Sequence, residues 1–85
     1  MRETLYVRIQ SPDKIIWEGE AASISSENTE GVFDVLPHHA NFISLLNENA
    51  PVIVRLPEKK SDPVEYSFGR TVIFVRNNFV SVYTF

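Results

Sequence analysis

Two adjacent histidines, His38 and His39, with Asp34 a few residues upstream, carry the residue types for acid–base or metal chemistry. Adjacent residues on an extended chain point to opposite faces, so the two imidazoles do not converge on one ion. No carboxylate or thiol stands at ligand spacing, and the chain has no cysteine, which excludes thiolate metal sites and disulfides. An Asp34–histidine pair lacks a nucleophile: Ser23, Ser25 and Ser26 have no Gly-x-Ser-x-Gly setting. Glu18 and Glu20 share a strand face and read as solvated carboxylates. The three glycines are isolated, so no loop cradles a phosphate. The residues predict no catalytic site, no metal and no cofactor. An enzyme built on His38, His39 and Asp34 is the weakest of three functional readings.

The elements that position these residues are short. Leu5, Val7 and Ile9 alternate with Tyr6, Arg8 and Gln10, the period of a half-buried strand. Ser11-Pro12-Asp13 is a turn, and Lys14–Glu20 is a second strand, with Trp17 to bury and Gly19 suited to a bulge. A weaker strand covers Ala21–Ser25. Thr29-Glu30-Gly31 turns the chain into an extended run over Val32–Leu36, which Pro37 stops from pairing further unless it lies at an edge. His38-His39-Ala40-Asn41 is a polar corner. Phe42–Leu46 is apolar and either extended or one helical turn capped by Asn41. Val52–Leu56, Val64–Phe68, Thr71–Val75 and Phe79–Phe85 are further strands. Pro57–Pro63 is an exposed loop, and Asn77-Asn78 is a two-residue hairpin turn.

Eighty-five residues make one domain, 1–85, with a modest core. No window shows a 3.6-residue stripe, and five prolines discourage helices. The fold expected is all-β, a sandwich of two packed sheets with about ten short strands. The aromatics alternate with aliphatics rather than with Lys or Arg, which favours core positions over a base-stacking platform. Net charge is −3 with scattered basic residues, so nucleic acid is not an expected partner. No apolar run approaches the ~18 residues of a membrane span, and no secretory signal follows Met1. The chain is expected to stay in the cytosol or an equivalent aqueous space.

Gly31-Val32-Phe33-Asp34-Val35-Leu36-Pro37-His38-His39-Ala40-Asn41-Phe42-Ile43 resembles a segment of the epsilon subunit of F-type ATP synthases (delta in mitochondria), typically Gly-Glu-Leu/Phe-Gly-Ile-Leu/Tyr-Pro-Gly-His-Ala-Pro-Leu-Leu. The opening, Tyr6 to Ala21, is similar to the family's Val-Thr-Pro-Glu-Lys-x-Leu-Tyr-x-Gly-x-Val, Ser67-Phe68-Gly69 to its Ser-Gly-Gly, and Phe74 to Val82 to its closing hairpin. The resemblance implies a non-catalytic rotor part that grips the gamma subunit, rests on the polar loops of the membrane c-ring and carries torque between them. It implies a place peripheral to the energy-transducing membrane, on the cytoplasmic side in a bacterium, with membrane contact only through the complex. Carried over by position, Glu30, Gly31, Val32, His38 and His39 face the c-ring, and Ser11, Phe42 and Ser44 face gamma. Phe42, Leu45 and Leu46 read equally well as ordinary core.

Four positions depart from the pattern. Val32 replaces Glu, which implies a less electrostatic contact at that tip; Asn41 replaces Pro. Asp34 and His38 replace Gly, and at least one of them is expected at positive φ, where Asp and His are among the better non-Gly residues. Most family members continue into a C-terminal helical hairpin that regulates hydrolysis and can bind ATP; ending at Phe85, this chain is expected neither to sense ATP nor to inhibit through helices. The alternative to a rotor subunit is a free-standing β-sandwich that binds a sugar, peptide or protein.

Overall fold

The computed structural model describes residues 3–85. Its nine strands run in chain order β1 (Leu5–Gln10), β2 (Ile15–Ala21), β3 (Ser23–Asn28), β4 (Gly31–Val35), β5 (Phe42–Leu45), β6 (Pro51–Arg55), β7 (Val64–Ser67), β8 (Thr71–Arg76) and β9 (Phe79–Thr84). They form a five-stranded sheet, β2-β1-β9-β8-β5, and a four-stranded sheet, β4-β3-β6-β7. The all-β sandwich is as expected. Phe42–Leu45 takes the extended form, antiparallel to β8, rather than a helical turn.

Alternation sets the register. Leu5, Val7 and Ile9 of β1, Ile73 and Val75 of β8, and Val80 and Val82 of β9 face Ile24, Val35, Val52 and Val54 of the other sheet, all buried. Each such side chain contributes roughly 1.5–3 kcal/mol by leaving water. The first and last strands are parallel neighbours, Val7 against Val80 and Ile9 against Val82, which closes the five-stranded sheet across almost the whole chain.

Turn chemistry fixes the connections. Asn77 and Asn78 have φ of 50° and 64°, the two left-handed residues of a type I′ turn, and Arg76 pairs with Phe79 across it. Leu36–His39 is closed by the His39 N–H donating to the Leu36 carbonyl at 3.1 Å, with Pro37 at its second position and His38 at its third with φ 69°. That is type II geometry, which normally asks for glycine where His38 stands. The expected positive φ therefore falls on His38, whereas Asp34 is an ordinary β4 strand residue. β4 is an edge strand that ends before Pro37, as a proline there requires.

Gly19 is not a bulge. It pairs regularly with Val7, and the irregularity of the β1–β2 ladder lies where Ile9 opposes Trp17 but Gln10 opposes Ile15. A Cβ on Gly19 would meet Cη2 and Cζ2 of Trp17 at 3.3 Å, so the missing side chain makes room for the indole. Gly19→Val should displace that ring and lower stability by about 1–3 kcal/mol, read as a lower denaturation midpoint with a red-shifted Trp17 emission.

Asn78 ties three segments together. Its Oδ1 accepts from the His38 N–H at 2.6 Å and its carbonyl accepts from the Tyr6 N–H at 2.9 Å. Asn78→Gly keeps the turn but removes the side-chain acceptor, so it should cost about 1 kcal/mol in chemical denaturation, with Asn77→Gly neutral or stabilising as the control.

Candidate functional site

Because β4 spans the sandwich, the two motifs that flank it lie at opposite ends. Glu30 and Gly31 belong to the β3–β4 hairpin, where Asn28 Oδ1 accepts from the Glu30 N–H at 2.9 Å and Gly31 has φ 120°. That end also holds Asn47, whose N–H donates to the Glu27 carbonyl at 3.0 Å. His38 and His39 sit at the far end of β4, against the β8–β9 turn. Glu30, Gly31 and Val32 thus stand at one end of β4 and His38 and His39 beyond the other, with the length of the strand, roughly 13–17 Å for five residues, between them.

The histidines and Asp34 do not converge. His38 Nε2 lies 3.0 Å from Glu3 Oε2, and His39 packs its ring edge-on against Phe42 with centroids 5.7 Å apart. Asp34 projects from the outer face of the four-stranded sheet and accepts a hydrogen bond from Ser25, whose oxygen in turn accepts from Arg55 Nη1 at 2.8 Å. Among the described residues no three His, Cys, Asp or Glu side chains cluster to hold a metal ion.

Ser11 lies in the β1–β2 turn, its N–H donating to the Lys14 carbonyl at 2.9 Å. Phe42 and Ser44 point toward the other sheet: Phe42 meets Phe33 with ring centroids 5.4 Å apart, and Ser44 Oγ accepts from Asn28 Nδ2 at 3.0 Å. Their neighbours Ile43 and Leu45, 62% and 59% exposed, take the open side instead. Leu46 is core. So of Phe42, Leu45 and Leu46, Leu46 is interior, Phe42 half-buried and Leu45 outside.

The open side is the unusual feature. Across β5, β8 and β9, outward-facing Ile43, Leu45, Phe74, Phe79 and Tyr83 are large and apolar, interrupted by Ser81 and Arg76, and Tyr6 continues the band onto β1. A groove of about 1070 Å³ runs over it, walled by Ile43, Phe74, Phe79 and Tyr83. Solvated sheet faces alternate apolar-in with polar-out; an outer face of this composition marks an interaction surface. The expectation that the alternating aromatics are core holds for Trp17, Phe33, Phe42, Tyr66 and Phe68, which pack against it, and fails for Phe74, Phe79 and Tyr83. On β8 and β9 the aliphatics Ile73, Val75, Val80 and Val82 fill the interior, and the rings of Phe74, Phe79 and Tyr83 stand outside. A signal for this was present: β8 and β9 are apolar in both phases, which a one-sided strand is not.

On the β2 side the face turns polar. Tyr6 donates its hydroxyl to Glu18, and Arg8 Nη2 lies 3.1 Å from Glu18 Oε2 while its guanidinium sits 5.7 Å from the Phe79 centroid. These contacts hold the Glu18 carboxyl below its ordinary value, chiefly through the Tyr6 hydroxyl and then Arg8, and the Glu18 carboxylate pushes the Tyr6 hydroxyl up. A depressed carboxyl favours the folded state above its unfolded value near 4.5, and that advantage is lost as pH falls through the lower folded value. Tyr6→Phe should move the Glu18 titration midpoint upward, measured by carboxyl NMR, and flatten the loss of stability below pH 4.5.

Comparison with known proteins agrees with the fold. Residues 4–84 match the family described as ATP synthase, Delta/Epsilon chain, beta-sandwich domain, and the chain belongs to that family. It is 33% identical over 67 residues to the ATP synthase epsilon chain of a Nitratiruptor species, a match covering 79% of this chain and 51% of the relative. The chain spans about half the length of the first curated relatives it matches. Its fold superposes on a chain of the Euglena gracilis mitochondrial ATP synthase (OSCP/F1/c-ring, rotational state 1) with TM-score 0.85 and 17% identity, covering 99% of this chain and 52% of that one. A chain of the Tetrahymena thermophila mitochondrial ATP synthase (central stalk/c-ring) gives TM-score 0.78 at 14% identity, covering 98% and 64%.

Proposed function

We propose that this domain is a non-catalytic rotor part of an F-type ATP synthase, gripping the gamma subunit and resting on the c-ring while a proton or sodium gradient drives rotation. Family membership supports the assignment to an epsilon subunit. The observation that carries the gamma contact is the apolar outer face of the five-stranded sheet, backed by an aliphatic core and fixed by a β1–β9 ladder. A part that passes torque needs a stiff body and a complementary surface, and burial of an apolar patch supplies non-directional affinity without a pocket.

The two ends then divide the partners. The Glu30–Gly31–Val32 tip, with Val32 78% exposed, meets the c-ring loops. The His38–His39 corner goes with gamma, because it adjoins the apolar groove through Asn41 and Asn77. Ser11 is a marginal contact near Tyr83. Association with the membrane is peripheral and through the complex.

Phe74→Asp would bury an unpaired carboxylate in the contact, and a cost of a few kcal/mol means a loss of at least ~100-fold in gamma affinity. Co-purification of the Phe74→Asp chain with gamma at wild-type yield, with its strand signal by circular dichroism intact, would refute the docking face. At the tip, a double-mutant cycle between Val32 and any basic c-ring loop residue should give a coupling below about 0.5 kcal/mol, and a coupling of several times that would refute an apolar contact there.

A further inference from the structure

The end of the sandwich that carries the Pro37 corner is closed by a ring of contacts. Glu3 stands just ahead of β1, and three residues on the Tyr6 N–H donates to the Asn78 carbonyl at 2.9 Å. Asn78 Oδ1 accepts from the His38 N–H at 2.6 Å, and the His38 imidazole returns to the start, with Nε2 3.0 Å from Glu3 Oε2. Two links of this ring have backbone donors, whose hydrogens do not titrate near neutral pH. The third is a titratable pair. The residue that makes it is not the one the turn would choose: His38 has φ 69° at the third position of a type II turn, where glycine carries no steric cost. Glycine there would relieve the backbone and forfeit the contact with Glu3.

The surroundings of the imidazole leave Glu3 as its charged partner. The side chains of His38 and Glu3 are 65% and 60% exposed, so both exchange protons with water directly. Asn77 and Asn78 of the β8–β9 turn line the same recess and are neutral. His39 is engaged elsewhere: its Nδ1 lies 2.7 Å from the Ala40 carbonyl and its ring packs on Phe42. Arg76, at the end of β8, lines the adjoining groove rather than this recess. Glu20 of β2 accepts from Thr4 at 2.7 Å. We infer that His38 and Glu3 form a proton-dependent clasp, which ties the segment ahead of β1 to the two turns when the imidazole is charged and slackens when it is neutral. An imidazole carries charge below about pH 6.5 and a glutamate above about pH 4.3, so the clasp is tight between these limits and loosens as pH rises past the upper one. The ring then rests on its two backbone links, and Glu3 is released without disturbing either sheet.

The test is the folding equilibrium of the full chain in urea at about pH 5.5 and about pH 8, on either side of the imidazole range, with wild type set against His38→Gly. Glycine relieves the turn but gives the unfolded chain more freedom, so the absolute difference has no fixed sign and its change with pH carries the answer. An ion pair present only in the fold contributes at the lower pH and is lost at the higher. The ratio of wild-type to His38→Gly folding constants should therefore be about two- to fivefold larger at the lower pH, the range of an exposed pair. Glu3→Gln in both backgrounds should abolish that change. Should His38→Gly fail to fold, His38→Asn, which also tolerates positive φ, takes its place. In the wild type the Glu3 and Thr4 amides should be more ordered by NMR relaxation at the lower pH, and equally mobile at both in Glu3→Gln. A ratio that ignores pH, a pH dependence that survives Glu3→Gln, or amide order that does not follow pH would each overturn the clasp. The rotor assignment plays no part in these measurements, so the two stand or fall separately.

Discussion

Strands β8 and β9 are apolar on both sides, and a two-layer sandwich can cover only one of them. Inside go Ile73, Val75, Val80 and Val82; outside go Phe74, Phe79 and Tyr83. The choice follows from shape. β-branched aliphatics pack densely between sheets about 10 Å apart, and larger rings at those positions would hold the layers open. What remains outside is an apolar surface that water meets at a cost, over a continuous interior layer. The exposed apolar face is thus a by-product of the same alternation that builds the core.

Backbone pairing and turn hydrogen bonds position that surface. The parallel β1–β9 pairing puts the first and last strands side by side inside the sheet. The His38 turn and the Asn77–Asn78 turn are fastened to each other by one side-chain amide, so the edge of the groove is set by backbone geometry rather than by long flexible side chains. The opposite sheet has a different character. Its outer face is knitted by the Asp34–Ser25–Arg55 chain, polar and self-satisfied. One side of the sandwich is complete in itself and the other is not.

Much of this was legible in the sequence. Strand positions, the Asn-Asn turn and the exposed Pro57–Pro63 loop follow from alternation and turn chemistry, which are local; the positive φ at His38 was one of two positions that the family's glycines suggested. Two things were not. The partner of β1 lies some seventy residues away, and nothing local in Leu5–Gln10 points to β9. The facing of the aromatics depends on which phase of a doubly apolar strand meets the other sheet, and periodicity gives the same answer for both phases. Phe42 and Ser44 turn toward the other sheet while Ile43 and Leu45 take the open side, a facing that periodicity alone leaves undecided. The separation of the Glu30–Val32 tip from the His38–His39 corner needed only the length of β4, once β4 was known to be one straight strand.

The absence of cysteine makes a direct measurement simple, because any introduced thiol is unique. Single variants Ile43→Cys, Phe74→Cys and Tyr83→Cys on the open face, with Glu65→Cys on the polar sheet as reference, would be labelled with a thiol reagent with and without gamma. The account predicts that gamma slows labelling at the three open-face positions by tenfold or more and leaves position 65 unchanged. Equal labelling at all four, or protection confined to position 65, would contradict it.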